Sequence, residues 1–182
     1  PVLMPDGSFQ RMKLDTYLTN VVLAEMPNEF EPEAQKAQAV VARTYALRAY
    51  ESGAKHPGGA ICTESSCCQG YLSKEDYLTK GGTEDGYAKI ESIVAATSGQ
   101  VLTYGGELIE ATYFSSSGGR TEDALAVCGS DVPYLRATDS PEEAYLDRTL
   151  ATVTFTAEEF STALGISLSG APASWLGPVT HT

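Results

Sequence analysis

Two prolines, Pro27 and Pro32, constrain this chain more than any other local feature. LDTYLTNVVLAEM precedes them with apolar residues at helical spacing, and PEAQKAQAVVARTYALRAYES follows, long and rich in alanine. Proline lacks the amide hydrogen and its ring clashes with the turn before it, so the first helix has to stop by Met26. The same residue is well tolerated in the first turn of a helix, so the second helix begins at Pro32. Glu31 and Glu33 suit its N-terminus, and Gly53 is a natural residue to close it. Alanines at 34, 37, 39, 42, 46 and 49 permit close packing and predict a largely buried helix. A buried helix carrying Gln38 and Arg43 needs partners for both. Glu25 is one candidate.

Glu25 is the unusual residue of the first helix. At about 100° per residue it lies within roughly 20° of Leu14 and Leu18 and about 40° from Val21, the natural inward face. It also falls in the last turn, near the negative end of the helix dipole. Both placements disfavour the ionised form, which is what a general acid near neutral pH requires. A structural ion pair with Arg43 is the competing explanation.

Farther along, AKHPGGAICTESSCCQGY is rich in Gly, Pro, Ser and Cys and makes up all but the last residue of an inserted Cys/His loop over residues 54–72. His56, Cys62, Cys67 and Cys68 fall within thirteen residues. Soft thiolates plus an imidazole suit a closed, structural Zn²⁺ site of the Cys₃His type; a disulfide from Cys62 to Cys67 or Cys68, or free thiols, are the alternatives. Cys128 reads as a small packed hydrophobe, and would be a fourth ligand if His56 were not one. YAKIESIVAATSGQ predicts a third helix presenting Ile90, Ile93, Val94 and Thr97, closed at Gly99. VLTYGGELIEATYF predicts a hairpin around Gly105-Gly106. The hairpin leads into YFSSSGGRTED, whose hydroxyls and glycines suit either a sugar-contacting surface or an ordinary turn-rich loop. TVTFT reads as a short strand and AEEFSTALG as a short amphipathic helix. The expected class is α+β, with N-terminal helices, a mainly antiparallel sheet built on the hairpin, and a loop pinned by zinc or a disulfide.

Composition excludes more than it assigns. A net charge of −12 over 182 residues argues against nucleic acid as a partner, which needs clustered Lys and Arg. The two histidines, His56 among cysteines and His181 next to the end, leave no usable base for a serine nucleophile, and there is no GxSxG. Carboxylate chemistry is the better expectation. No apolar run reaches the roughly 18 residues needed to span a bilayer. The chain begins at Pro1, and a leader or anchor removed from in front of it is the expectation.

LDTYLTNVVLAEMP, PEAQKAQAVVARTYAL, ICTESSCCQGY, ATSGQVLTYGGELIEATYFSSSGGRTEDA and VPYLRATDSP, taken in order over roughly residues 14 to 141, resemble the stage II sporulation protein D (SpoIID) family of bacterial cell-wall enzymes. The resemblance implies a single catalytic region over residues 1–182, truncated at its C-terminus. It implies a lytic transglycosylase that cleaves peptidoglycan glycan strands, preferably stripped of peptides, during engulfment in spore formation. It places the catalytic acid on Glu25 and an important arginine on Arg43, there to orient Glu25 or the lactyl carboxylate of muramic acid. It implies zinc on His56, Cys62, Cys67 and Cys68, with Cys67 standing where the family commonly has histidine; Cys128 replaces a frequent tryptophan. Gln38, Tyr113, Ser115, Ser116, Ser117 and Gly118 are the expected substrate contacts. The protein would act outside the cytoplasm, anchored to the membrane when full length, alongside other cell-wall hydrolases such as an amidase. LytB-type relatives share these motifs, so a non-catalytic glycan-binding amidase enhancer is the alternative. A lysozyme-like hydrolase pairing Glu25 with Asp15, Glu29 or Glu110 is a third reading.

Overall fold

The computed structural model describes residues 1–53, 55–141, 152–175 and 177. The chain divides into two compact units, Pro1–Ser115 and Ser116–Thr182. The class is α+β, as expected.

The first unit is built on three helices that pack against one another: α1 (Leu14–Glu25), α2 (Pro32–Ser52) and α4 (Glu84–Ala96). α1 ends one residue before Met26, and Pro32 occupies the first turn of α2, with Gly53 left-handed at its C-cap. α1 is buried on every side from Tyr17 to Leu23, whereas Ala24 and Glu25 emerge. Leu18, Val21 and Val22 meet Ala39, Ala42, Ile90 and Val94 in the core. The small side chains at 39 and 42 let the helices approach, as the alanine pattern predicts. α2 nevertheless buries one face rather than most of its surface: Ala34 and Ala37 are exposed, and Tyr50 is 58% exposed.

A short helix absent from the sequence reading, α3 (Lys74–Thr79), precedes α4; Ser73 caps it by accepting from the Asp76 N–H, and Thr83 does the same for Gly86 at the start of α4. The three-stranded sheet comes from the N-terminus rather than from the hairpin. β1 (Val2–Leu3) pairs antiparallel with β2 (Phe9–Gln10) and parallel with β3 (Ile61–Cys62), in the order β2-β1-β3. The hairpin of β4 (Thr103–Tyr104) and β5 (Glu107–Leu108) forms as expected but, among the described residues, pairs only with itself. Positive φ at both Gly105 and Gly106 accounts for its tight turn. α2 holds the hairpin at both ends: the Leu102 N–H donates to Thr44 Oγ1 at 3.0 Å and Arg48 donates to the Leu108 carbonyl at 2.7 Å.

Arg43 is 2% exposed and caps the far end of α4. Its guanidinium donates to the carbonyls of Val94 (3.1 Å) and Gln100 (3.2 Å) and to Thr97 Oγ1 (3.3 Å), with Asp15 Oδ1 at 3.9 Å. Burial lowers its proton affinity below the ordinary arginine value, and Asp15 works in the other direction. Carbonyls at a helix C-terminus lack their ordinary intrahelical donors, and Arg43 gives that of Val94 a charged one.

In the second unit, α5 (Ala124–Cys128) sits inside a loop closed by Thr121 N–H to the Thr138 carbonyl and Ser140 N–H to the Gly119 carbonyl. α6 (Ala157–Leu164) forms where AEEFSTALG predicts it, with a capping box between Thr156 and Glu159. Phe160 stacks on Trp175 at 6.2 Å. TVTFT is not a strand: residues 152–156 run unpaired into the N-cap of α6, and Thr156 is consumed by that cap. Among the described residues no helix is long and apolar enough to cross a membrane.

Arg43→Leu is expected to lower the unfolding free energy by about 3 kcal/mol, since it removes the charged hydrogen bonds to the Val94 and Gln100 carbonyls and to Thr97 Oγ1. Urea unfolding followed by circular dichroism measures this. A loss under about 0.5 kcal/mol would show that Arg43 does not hold α4 in place.

Candidate functional site

Glu25 stands where α1 leaves the core. Its position on the helix wheel matches Leu14, Leu18 and Val21, but burial depends on position along the axis as well as around it, and the core stops at Leu23. The carboxylate is therefore exposed rather than enclosed, which corrects the expectation of an apolar setting. What surrounds it is a set of donors. Oε1 accepts from the Gly70 N–H at 2.9 Å and from the Tyr113 hydroxyl at 3.1 Å. Among the described residues no hydrogen bond reaches Oε2.

Gly70 is a close-approach residue. A Cβ placed there would lie 2.9 Å from Glu25 Oε1. The segment that carries it is fixed along α1, because Leu72 N–H donates to the Asn20 carbonyl at 3.0 Å, Asn20 Nδ2 donates to the Tyr71 hydroxyl at 2.8 Å, and Tyr71 stacks on Tyr17. Tyr113 follows the hairpin that α2 holds. Burial pushes its phenol above the ordinary tyrosine range; the hydrogen bond from Gln69 opposes this and the Glu25 charge adds to it. The phenol stays protonated and remains a donor. A cleft of about 420 Å³ lies past the end of α1, lined by Leu23, Met26, Pro27, Leu72, Tyr77 and Lys80 among others, and Glu25, Gly70 and Tyr113 are not in its lining. That volume lies within the range of small-ligand sites.

Immediately before Gly70 in the chain lies the cysteine loop. The ligand atoms of His56, Cys62, Cys67 and Cys68 are all within 4.8 Å of one another, and His56 Nε2 is 3.5 Å from both Cys67 Sγ and Cys68 Sγ. The thiols are unbridged. Tetrahedral Zn²⁺ at about 2.3 Å from each sulfur would set neighbouring sulfurs about 3.8 Å apart, so this donor set fits a metal ion with small adjustment. Cys62 is brought in by the pairing of Leu3 with Cys62, and Cys67 and Cys68 by a turn in which both N–H groups donate to the Glu64 carbonyl. Burial pushes the Cys68 thiol up to about 12. Burial acts the same way on Cys62, but hydrogen bonds from the Glu64 backbone and from the neighbouring thiols leave it below the ordinary cysteine value. Cys128 is exposed at the end of α5 and takes no part in this cluster.

The family model described as "Stage II sporulation protein", SpoIID, matches residues 7–104. The chain belongs to the SpoIID family. It is 40% identical to stage II sporulation protein D of Bacillus subtilis over 99% of its own length and 54% of that protein's, and 39% identical to the same protein of Bacillus amyloliquefaciens over 93% and 52%. It is also 32% identical to the amidase enhancer of Bacillus subtilis, over 91% of its own length and 20% of that protein's. The chain spans about half the length of the stage II sporulation proteins it matches.

Not every residue expected from the SpoIID resemblance reaches the carboxylate. Arg43 does not orient Glu25: it sits beside Asp15, ten residues earlier on α1 and hence about 15 Å away along the helix axis. The same distance rules out Asp15 as a second carboxylate, since two-carboxylate glycosidases keep theirs within about 9.5 Å. Gln38 Nε2 is buried without a hydrogen-bond partner among the described residues. In the serine loop, Ser116 Oγ accepts from the Gly118 N–H and Ser117 Oγ from the Gly119 N–H, closing local turns; Ser115 and Gly118 are exposed. Tyr113 is the expected contact that does reach Glu25. Gly70 and Gln69 were missed, although a glycine directly after Cys-Cys-Gln was the available signal.

Gly70→Ala is expected to push the Glu25 carboxylate aside while leaving the fold intact, because the clash is with the tip of a flexible side chain. A crystal structure should show loss of the 2.9 Å contact, with Tm changed by less than about 3 °C. An undisturbed carboxylate would refute the close-approach account.

Proposed function

We propose that this chain is the catalytic region of a lytic transglycosylase that cuts the bond between N-acetylmuramic acid and N-acetylglucosamine in peptidoglycan glycan strands, preferably those stripped of peptides. Glu25, held through one oxygen by Gly70 and Tyr113 at an exposed helix end, is the observation that carries this reading. Glycoside hydrolysis ordinarily needs two carboxylates, whereas a lytic cut needs one because the sugar supplies its own nucleophile. Protonated Glu25 gives its proton to the glycosidic oxygen, and the bond from that oxygen to C1 of muramic acid breaks. The resulting carboxylate takes the proton of the muramic acid C6 hydroxyl, whose oxygen bonds to C1. The products are a free 4-hydroxyl on N-acetylglucosamine and a 1,6-anhydro ring, with no water consumed. Gly70 and Tyr113 keep Oε1 occupied, so the exchange runs through Oε2, and they stabilise the carboxylate formed after the first transfer.

Ser115, Ser116, Ser117 and Gly118, on the segment leaving Tyr113, are the proposed contacts to sugar hydroxyls and N-acetyl groups. Family membership supports a role in sporulation and engulfment, outside the cytoplasm and in the company of other cell-wall hydrolases. His56, Cys62, Cys67 and Cys68 would hold structural Zn²⁺, which supplies no step of the reaction; bound there, it pins a loop with few apolar residues of its own. The amidase enhancer among the relatives favours a second reading, a glycan-binding modifier without cleavage.

Peptide-free strands digested with the native chain and with Glu25→Gln, and analysed by mass spectrometry, distinguish the readings. Anhydro-muramic ends from the native chain and at least a 100-fold loss in the variant, in the range of a removed acid catalyst, are expected. Binding without anhydro product would establish the modifier reading instead. Elemental analysis should find about one zinc per chain, and Cys62→Ser should both release it and lower Tm. A native chain that carries no metal after growth in zinc would refute the zinc assignment.

A further inference from the structure

Gln69 lies between Cys68 and Gly70 and is 1% exposed. An amide this deeply buried in a loop costs free energy unless both of its ends are paired. Both are. Its Oε1 accepts from the Tyr17 hydroxyl at 3.4 Å, and its Nε2 donates to the Tyr113 hydroxyl oxygen at 3.3 Å. Tyr113 in turn donates to Glu25 Oε1 at 3.1 Å.

The directions in this chain are not interchangeable. An amide nitrogen only donates, so the Tyr113 oxygen receives from Gln69 and its single proton is left for the carboxylate. With the amide turned over, Gln69 Oε1 would compete for that proton, and the Tyr113 and Glu25 oxygens would face each other without a hydrogen between them. The orientation is selected at the carboxylate, which can only accept: while the Tyr113 proton goes to Glu25 Oε1, the Tyr113 oxygen needs the amide nitrogen as its donor, and Oε1 of Gln69 is left to accept from Tyr17. Burial keeps Tyr17 protonated as well, above the ordinary tyrosine range. The amide thereby ties Tyr113, and through it Glu25, to Tyr17 in the core of α1.

We infer that Gln69 is a positioning residue for the proposed cleavage: by holding Tyr113 as a donor to Glu25 Oε1, its buried amide fixes the carboxylate that exchanges protons with the glycan. The inference rests on the reading of Glu25 as the acid. A packing role alone would be met equally well by an apolar side chain of the same volume, and that difference supplies the test.

Gln69→Met fills the space without donor or acceptor. Two readouts apply to it: a crystal structure, and steady-state cleavage of peptide-free glycan strands in the presence and absence of Tyr113→Phe. Expected are loss or lengthening of the Tyr113 to Glu25 contact and a fall of about tenfold in kcat with KM within about twofold, as for a lost interaction made in the transition state. In the Tyr113→Phe background the same substitution should cost nothing further, because Gln69 acts through that phenol. An equal loss in both backgrounds, an unchanged kcat, or a Tyr113 to Glu25 contact that survives at its native length would each overturn the inference. If the native chain cleaves nothing, the acid assignment fails, and the crystal contact still decides whether Gln69 sets the geometry. Should Gln69→Met not fold, Gln69→Leu carries the same comparison.

Discussion

Packing of α1 against both α2 and α4 is the constraint on which the first unit depends, because it encloses that helix from Tyr17 to Leu23 and lets it emerge at Ala24 and Glu25. Leu18, Val21 and Val22 are wholly enclosed, and the alanines of α2 let the three helices approach closely enough to enclose them. Side chains on α1 are consequently enclosed from Tyr17 to Leu23, and the surface begins in the last turn, just before Pro27. A carboxylate at that point combines two properties that usually conflict: its backbone is as rigid as the core, and its oxygens are open to a polymer approaching from solvent. Sites built on rigid elements hold their geometry better than sites on loops. Glu25 has the advantage of the first while remaining accessible.

The remaining parts of the site reach Glu25 from distant places in the sequence, and each is tied to the same core. Gly70 arrives on a loop laid along α1 through Asn20 and Tyr71. Tyr113 arrives after a hairpin held by Thr44 and Arg48 of α2. The donor cluster His56, Cys62, Cys67 and Cys68 lies just ahead of Gln69 and Gly70 in the chain and is joined to the N-terminal strand through Cys62. A metal held there would order the segment that presents both the Gln69 amide and the Gly70 N–H. Structural stabilisation of that loop and the geometry at Glu25 are thus two aspects of one arrangement.

Local signals in the sequence carried much of this. Proline and glycine bounded α1 and α2, the Gly105-Gly106 pair marked the hairpin, apolar spacing marked α4, and the clustering of His56 with three cysteines marked the donor set. What failed involved information that spacing lacks. Two-residue strands such as Val2–Leu3 and Ile61–Cys62 have no periodicity to detect and exist only through pairing across the chain. The wheel placed Glu25 on the inward face but was blind to where the core ends. Arg43 looks like a partner for Glu25 because both are polar residues on apolar helices; the acceptors that claim it, at Val94, Thr97 and Gln100, are about fifty residues away. Gln69 and Gly70 were hidden because their importance lies in what they touch. TVTFT has strand composition, yet no partner strand among the described residues, and Thr156 does better as a helix cap.

The central claim is that Glu25 acts without a water nucleophile, and cleavage in H₂¹⁸O tests it directly. Intramolecular attack by the C6 hydroxyl predicts muramic acid ends that carry no ¹⁸O and weigh one water less than hydrolysed ends. Incorporation of one ¹⁸O at C1 would contradict the account, because it would mean that solvent attacks and that a second group activates it.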